Sequence, residues 1–133
     1  MGKPAIIDLK HLNVNQGNIT IAEDCEHLPF KLNRVYWLTD ISKGQVRGNN
    51  ASLVGQRVIA CVHGHVTVTL EDVSGNHYRY ELSDPHHGLY IPNLHWTKIK
   101  FMESSILICL ASNRFQESDY IRSYQEFLAL PRN

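Results

Sequence analysis

The chain has 133 residues, and its 13 basic side chains balance its 13 acidic ones. A chain of this length forms one domain with its own core, so we expect a single domain over residues 1–133. Since it has no basic excess, no polybasic run and no apolar run long enough to span a bilayer, neither a nucleic-acid nor a membrane partner is expected. The N-terminus lacks the apolar stretch of a secretion signal, which favours a cytoplasmic protein.

Short runs rich in Val, Ile, Thr and Tyr alternate along the chain with Gly, Asn, Asp and Pro turn signals. This spacing predicts an all-β sandwich or barrel of about ten antiparallel strands. The clearest predicted hairpin joins residues 57–62 to residues 65–72 through His63 and Gly64. A second turn, at residues 74–76, leads into a strand over residues 77–82, and two further strands are predicted over residues 96–101 and 106–111.

A short C-terminal helix is predicted over residues 120–128. Ser118 or Asp119 would cap its first turn. Ile121, Tyr124 and Leu128 would then form one apolar stripe, at spacings of three and four residues. Pro131 would end the helix because proline cannot continue it.

A family resemblance is carried by residues 34–52. The segment begins Arg-Val-Tyr and contains Arg47, Gly48 and Ala51 in the order of an Arg-Gly-x-His-Ala-His motif, but Asn50 and Ser52 replace the two histidines. It resembles the sugar 3,4-ketoisomerases (WxcM-like cupins), which act on dTDP-4-keto-6-deoxyglucose. The similarity extends over residues 6 to 128. It includes residues 17–20 and 29–36, Gly88-Leu-Tyr90 with Trp96, Leu110-Ala-Ser112, and the block from Asp119 to Phe127.

The resemblance implies a cupin-type double-stranded β-helix, a jelly-roll barrel, with the short helix at its C-terminus. It also implies a cytoplasmic homodimer that binds a dTDP-linked deoxyhexose in deoxysugar or O-antigen biosynthesis, without a cofactor. N-terminal strands are often exchanged between the subunits of such dimers. Residues 6–12 are apolar enough to pair with the sheet edge of a partner.

The four metal-ligand positions of a cupin are all altered in this chain. Asn50 and Ser52 occupy the two histidine positions of the first motif, Arg57 stands at its glutamate, and Thr97 falls on the histidine of the second motif. A divalent ion requires imidazole, carboxylate or thiolate donors. We therefore expect no metal, which agrees with the resemblance, since the ketoisomerases are regarded as metal-free.

The same substitutions remove acid/base groups that the reaction needs. Moving a ketone from C4 to C3 through an enediol requires a base for the C3 proton and an acid for C4, a role that histidine fills well. Asn50 and Ser52 cannot take a proton unaided at pH 7. His95 is the candidate substitute because it lies two residues before Thr97 on the same strand face, although it could instead pack beside Trp96. Tyr36 is a second, tentative catalytic candidate.

The candidate substrate-binding residues surround the same predicted cavity. Arg47 could hold a phosphate or sugar oxygens through paired guanidinium bonds, or form a structural ion pair. Arg57 could bind an anion if it faces the cavity, or be a surface charge. The full predicted substrate-binding set is Arg47, Gly48, Asn50, Ser52, Arg57, Tyr90, Trp96 and Thr97.

Three functions remain open on the sequence. The chain could be a sugar isomerase or epimerase with substituted catalytic groups. It could be a non-catalytic nucleotide-sugar binder or partner subunit, or an unrelated ligand-binding cupin. Turnover of a dTDP-4-keto sugar separates the first from the second, and binding of dTDP separates the second from the third.

Overall fold

The computed structural model describes residues 2–132. These residues form twelve β-strands, one 3₁₀ turn and one short α-helix. The strands are β1 (Ala5–Asp8), β2 (Lys10–Val14), β3 (Gly17–Ile21), β4 (Arg34–Ile41), β5 (Val46–Ser52), β6 (Arg57–His63), β7 (Val66–Asp72), β8 (His77–Leu82), β9 (His87–Ile91), β10 (His95–Phe101), β11 (Ser105–Ala111) and β12 (Tyr120–Ile121). The 3₁₀ turn covers Glu117–Asp119, and the helix α1 covers Tyr124–Leu128.

Two five-stranded antiparallel sheets enclose the core. The first sheet has the order β1-β9-β6-β11-β4, and the second has the order β12-β5-β10-β7-β8. Alternate side chains on each strand point to opposite faces, so the inward rows of both sheets meet in one apolar cluster. The core cluster contains Ile41, Ile59, Cys61, Val66, Val68, Leu70, Leu82, Leu89, Ile91, Ile99, Phe101, Leu107 and Cys109. The predicted all-β jelly roll with a short C-terminal helix is confirmed.

The predicted hairpin between residues 57–62 and 65–72 is wrong. Strand β6 pairs with β9 and β11 in the first sheet, whereas β7 pairs with β10 and β8 in the second. The chain therefore crosses from one sheet to the other at Gly64, which has a φ of 95° and lies against Ser105. The second predicted turn is confirmed, since β7 and β8 form an antiparallel hairpin from Val66↔Leu82 to Glu71↔His77.

The C-terminal helix begins later than the sequence predicted. Ser123 is its N-cap and accepts a hydrogen bond from the backbone N–H of Glu126 at 3.3 Å. Residues 117–119 form a 3₁₀ turn, and Ile121 lies in β12, which pairs with β5. The predicted caps at Ser118 and Asp119 are therefore wrong, because a strand added to the sheet edge separates them from the helix.

Two further layers cover the outer faces of the sheets. Leu28 and Phe30 pack against Val58 and Leu110 on the first sheet. Phe127 of the helix packs on the second sheet against the cluster of Ala51, Trp96 and Ile121. Strands β2 and β3 form a separate two-stranded hairpin. Among the described residues, no helix is both long and apolar enough to cross a membrane.

Candidate functional site

Two adjoining cavities open between the sheets at one end of the barrel. The larger one, of about 490 Å³, reaches the core residues Ile59, Ile99 and Cys109. The second, of about 380 Å³, is lined by Arg34, Phe115 and Tyr120, and we call it the aromatic cavity. Both are lined by Tyr36, Asn50, Arg57 and Arg122, so the cavities form one continuous site, which we call the barrel mouth.

A tight backbone contact shapes one wall of the mouth. Gly48 has a φ of 94°, and a Cβ at this position would lie 2.7 Å from the carbonyl oxygen of Thr97. Only glycine fits this conformation without strain. The register between β5 and β10 shifts at the same place, between Thr97 and Lys98. This irregularity sets Arg47, Gly48 and Asn50 along the cavity wall.

Arg34 is held in place by aromatic rings. Its guanidinium carbon lies 5.0 Å from the ring centre of Tyr36, 5.6 Å from that of Phe115 and 5.9 Å from that of Tyr120. One terminal nitrogen donates to the Tyr120 hydroxyl at 2.8 Å. The Nε atom is buried and has no hydrogen-bond partner within residues 2–132. Cation–π contacts therefore orient this charge in the aromatic cavity.

The mouth carries a positive charge that the described chain does not neutralise. Arg122 pairs with Glu117 at 2.6 Å, but Arg34, Arg47 and Arg57 have no ion pair with a carboxylate among residues 2–132. A guanidinium offers several N–H donors in a planar fork that matches phosphate oxygens. Such a group without a counter-ion in a concave site favours an anionic ligand.

The Tyr36 hydroxyl and the Cys109 thiol in the mouth are protonated at neutral pH, because both have raised pKa values. Burial raises the pKa of Tyr36 to about 12, although the neighbouring Arg57 opposes this effect. Burial likewise raises the pKa of the Cys109 thiol to about 11. Among residues 2–132, no histidine and no carboxylate lines either cavity. The mouth thus offers cations and hydrogen-bond donors, but no group with a pKa suited to a general base.

His95 faces the barrel interior but does not line the mouth. It is 6% exposed, and its Nδ1 lies 2.8 Å from the carbonyl oxygen of Asn93. That carbonyl can only accept, so Nδ1 carries the proton and Nε2 carries the lone pair. Burial lowers the pKa of His95, which keeps the ring neutral at pH 7. It lies two residues along β10 from Thr97, about 7 Å, and Thr97 is fully buried.

The remaining predicted binding residues lie outside the mouth cavities. Tyr90 packs in the outer cluster of the first sheet, and its hydroxyl donates to the side chain of Gln56. Trp96 packs against Phe127 under the helix, with ring centres 5.8 Å apart. Ser52 pairs with Tyr120 at the sheet edge. The structure therefore brings together Tyr36, Arg47, Gly48, Asn50 and Arg57 from the predicted set.

Sequence reasoning missed four residues of the aromatic cavity, which are Arg34, Phe115, Tyr120 and Arg122. Arg34 begins the Arg-Val-Tyr motif, and Tyr120 and Arg122 belong to the C-terminal block that also carried the family resemblance. These two motifs could therefore have indicated Arg34, Tyr120 and Arg122 as candidate site residues. The C-terminal block was interpreted as helix, which concealed that β12 brings it back to β5 and to the mouth.

The family model described as "FdtA: WxcM-like, C-terminal" matches residues 2–132. The chain belongs to this family. It is 31% identical over 124 residues to the TDP-4-oxo-6-deoxy-alpha-D-glucose-3,4-oxoisomerase of Aneurinibacillus thermoaerophilus, covering 92% of this chain and 88% of that one. The predicted relationship to the sugar 3,4-ketoisomerases is confirmed.

Solved structures of family members share the fold. The sugar 3,4-ketoisomerase QdtA of Thermoanaerobacterium thermosaccharolyticum, in complex with TDP, is 32% identical with a TM-score of 0.88, over 94% of this chain and 91% of that one. A histidine-to-asparagine variant of QdtA, in complex with TDP-4-keto-6-deoxyglucose, is 34% identical with a TM-score of 0.88 over the same shares of the two chains.

Proposed function

We propose that the barrel mouth binds a TDP-linked deoxyhexose and that ordinary 3,4-ketoisomerase turnover is weak or absent. The observation that carries this proposal is the composition of the mouth. Arg34, Arg47 and Arg57, which have no ion pair, surround a cavity that no carboxylate or histidine of the described chain lines. Family membership supplies the ligand class, because relatives are named for TDP-sugar substrates.

The two cavities suit the two halves of such a ligand. Arg34 and Arg57 would bind the diphosphate through charge-assisted hydrogen bonds. Phe115 is 60% exposed beside them and offers a face on which a nucleobase could stack. The sugar would then enter the larger cavity, where Arg47 and the Tyr36 hydroxyl donate to its oxygens.

The proposal of weak turnover follows from the protonation states in the mouth. Tyr36 and Cys109 keep their protons at pH 7 because their pKa values are raised to about 12 and about 11. Each can donate a hydrogen bond, but neither can remove the C3 proton. The relative crystallised with asparagine in place of a histidine indicates that such a change is compatible with sugar binding in that protein.

One observation favours residual catalysis as a second candidate. His95 is neutral and has its lone pair on Nε2, as a general base requires. However, Thr97, which has no exposed surface, is the cross-strand partner of Asn50, and His95 lies two residues farther along β10, outside both cavities. A base at His95 therefore requires the sugar to reach past Thr97.

Binding and turnover can be separated in one set of experiments. TDP at a hundred times its dissociation constant should stabilise the fold by about 2.7 kcal/mol, which a thermal shift detects. Proton NMR in D₂O then follows exchange of the C3 proton of TDP-4-keto-6-deoxyglucose. We expect binding with slow or no exchange. Rapid exchange that His95→Asn abolishes would establish the second candidate, and no thermal shift with TDP at millimolar concentration would refute nucleotide binding.

We also propose that the chain acts as a homodimer whose N-terminal hairpin packs on a second copy. Every residue of β2 is exposed, including Leu12 at 44%, and Ile19 on β3 is 47% exposed. Strand β4 lies at the edge of the first sheet, where Trp37 is 63% exposed. Apolar side chains of this kind on an unpaired edge are a site for strand addition.

Light scattering at micromolar concentration should give the mass of a dimer. Leu12→Asp together with Ile19→Asp should give a monomer and shift the Trp37 fluorescence to longer wavelength, since that ring would lose its cover. Thr69→Asp, on the outer face of the second sheet, is the control. A wild-type monomer, or a dimer unaffected by both hairpin changes, would contradict this proposal.

A further inference from the structure

Arg122 is, within residues 2–132, the only arginine of the barrel mouth that pairs with a carboxylate. Its Nε atom donates to one carboxylate oxygen of Glu117 at 2.6 Å, and a terminal nitrogen donates to the other at 3.0 Å. A guanidinium binds a phosphate through the same two-point contact. Glu117 therefore occupies an edge of Arg122 that an anionic ligand could use.

The mouth gives a ligand access to Arg122 but not to Glu117. The side chain of Arg122 is 51% exposed and lines both cavities. Its guanidinium carbon lies 4.8 Å from the ring centre of Tyr120, and Arg34 lies 5.9 Å from the same ring centre. Tyr120 thus orients two guanidinium groups at the aromatic cavity. Glu117 is absent from the lining of both cavities.

The Glu117 carboxylate is held in place only by Arg122. Its hydrogen bonds within the described residues all come from that guanidinium, and its side chain is 63% exposed. Residues 114–118 are exposed, whereas Asp119 anchors the end of this segment by accepting from backbone N–H groups of the loop at residues 54–55. The carboxylate can therefore turn into solvent without disturbing the core.

The charges favour an exchange of partners when an anion enters the mouth. The ion pair lowers the pKa of Glu117 and raises that of Arg122, so both groups are charged at neutral pH. Solvent screens an exposed pair of this kind and weakens it. A diphosphate carries more negative charge than a carboxylate, and it would also interact with the unpaired Arg34 and Arg57.

We propose that Glu117 competes with the anionic ligand for Arg122, so that their ion pair is an autoinhibitory contact of the barrel mouth. In the free protein the carboxylate neutralises Arg122. In the complex a phosphate replaces the carboxylate, and Glu117 turns into solvent. This inference rests on the proposed function and describes how the same site is regulated. It predicts that removing the carboxylate strengthens binding, whereas a residue that merely positions Arg122 would weaken binding when removed.

Calorimetric titration with TDP distinguishes competition from positioning. Glu117→Gln keeps the size of the side chain and removes its charge, and we expect the affinity for TDP to rise about two- to fivefold, the range of an exposed ion pair. Glu126→Gln is the matched control, because Glu126 is exposed, has no ion pair within residues 2–132 and lies four residues from Arg122. It should change the affinity by less than about 1.5-fold, since solvent and salt screen its charge.

A double-mutant cycle shows whether the gain depends on Arg122. Arg122→Gln should weaken TDP binding about tenfold, as for the loss of one charge-assisted hydrogen bond. When Arg122→Gln is already present, Glu117→Gln should have no greater effect than Glu126→Gln, because the group for which Glu117 competes is gone.

Three results would overturn the inference. Weaker TDP binding by Glu117→Gln would show that Glu117 positions Arg122. A gain no larger than that of Glu126→Gln would show only a general effect of charge, and both results can be read even if Arg122→Gln fails to fold. An undiminished gain in the presence of Arg122→Gln is the third. In each case TDP still binds and the proposed function stands, whereas absence of TDP binding in wild type and in Glu117→Gln overturns the proposed function itself.

Discussion

The surroundings of Asp119 and the barrel mouth both contain buried polar groups, but they differ in how many of those groups have hydrogen-bond partners. Asp119 is a buried carboxylate that accepts from the backbone N–H groups of Val54 and Gly55, at 2.8 and 3.1 Å, and from the side-chain amide of Asn113 at 3.0 Å. In the barrel mouth, Arg34 and Asn50 each keep a buried polar atom that no group in residues 2–132 pairs with. Buried polar groups are normally paired. The hydrogen bonds of Asp119 therefore stabilise the fold, whereas the unpaired groups of the mouth indicate a ligand-binding site.

The close packing around Asp119 supports its structural role. A Cβ on Gly55 would lie 2.8 Å from a carboxylate oxygen of Asp119 and 2.7 Å from the side-chain oxygen of Asn113. No ligand could enter there without moving the loop. The mouth has instead about 490 Å³ of space beside Asn50. The comparison therefore predicts that mutations at Asp119 affect unfolding, and that mutations in the mouth affect binding.

The largest effect on stability is expected for Asp119→Ala. The change leaves two backbone N–H groups and one amide without an acceptor, each at a cost of about 1–3 kcal/mol if it stays buried. We expect the free energy of unfolding to fall by about 3 kcal/mol or more, measured by urea denaturation. Glu117→Ala is the control, because solvent screens its exposed pair with Arg122 and the loss of that pair should cost little stability. Equal losses in the two variants would contradict the structural role of Asp119.

Arg34→Gln should weaken TDP binding and leave stability nearly unchanged, whereas Asp119→Ala should lower stability. It removes a charge that holds no carboxylate in the described chain, so the affinity for TDP should fall about 10- to 100-fold, as for a charge-assisted hydrogen bond worth about 1.5–3 kcal/mol. The free energy of unfolding should change by less than about 1 kcal/mol, because lost cation–π contacts are offset by removing an unsatisfied donor. Calorimetry and urea denaturation measure the two quantities.

Arg79→Gln is the matched control for Arg34. Arg79 lies on the outer face of the second sheet, 69% exposed, and pairs with Glu81 at 2.9 Å. TDP affinity should be unchanged in this variant. If Arg34→Gln destabilises the fold as much as Asp119→Ala and leaves TDP affinity unchanged, the distinction between the two regions fails.

His95 is intermediate between Asp119 and the mouth residues. Its ring is buried, and only its Nδ1 has a hydrogen-bond partner, the carbonyl oxygen of Asn93. Burial lowers its pKa below that of the unfolded chain, so the unfolded state binds more protons in acid. Its contribution to stability is therefore complete above about pH 6.5 and is lost as pH falls below that value. Urea denaturation should show the free energy of unfolding of wild type falling as the pH is lowered from about 6.5.

His95→Asn should flatten this pH dependence because it removes the titrating group. The acidic groups with lowered pKa values, Asp72, Asp84 and Glu81, contribute stability that is lost only at lower pH. These carboxylates therefore contribute little to the slope near pH 6.5. A variant with the same slope as wild type would show that His95 is accessible to solvent and can be protonated without cost.

The sequence predicted those parts of the site that a local motif encodes. One four-residue segment contains Arg47, Gly48 and Asn50. The glycine in it is required because β10 approaches the backbone closely at this position. Alternation along β10 also placed His95 and Thr97 on the inward face. Local patterns cannot say which strand is the neighbour, so β6 and β7 were paired wrongly although both were recognised as strands.

The aromatic cavity could not be assembled from local patterns. Arg34 and Tyr120 meet through a hydrogen bond that spans 86 residues of sequence. Only the pairing of β12 with β5 brings the C-terminal segment to the mouth. The same pairing explains the error at the helix start. Ile121, Tyr124 and Leu128 fit a helical stripe, but the apolar Ile121 gains its burial by joining the sheet instead.

The smallest predicted effect tests that helix start directly. Ser123→Ala removes the side-chain acceptor for the Glu126 N–H and should cost about 1 kcal/mol of stability. Ser118→Ala changes the cap that the sequence predicted, but this serine is exposed in the 3₁₀ turn and should alter stability by less than about 0.5 kcal/mol. Thermal denaturation compares the two matched variants. A larger loss for Ser118→Ala would mean that the helix begins in the earlier turn. That outcome would remove β12 from the sheet edge and Tyr120 from Arg34, and the aromatic cavity would lose the contact that orients its central charge.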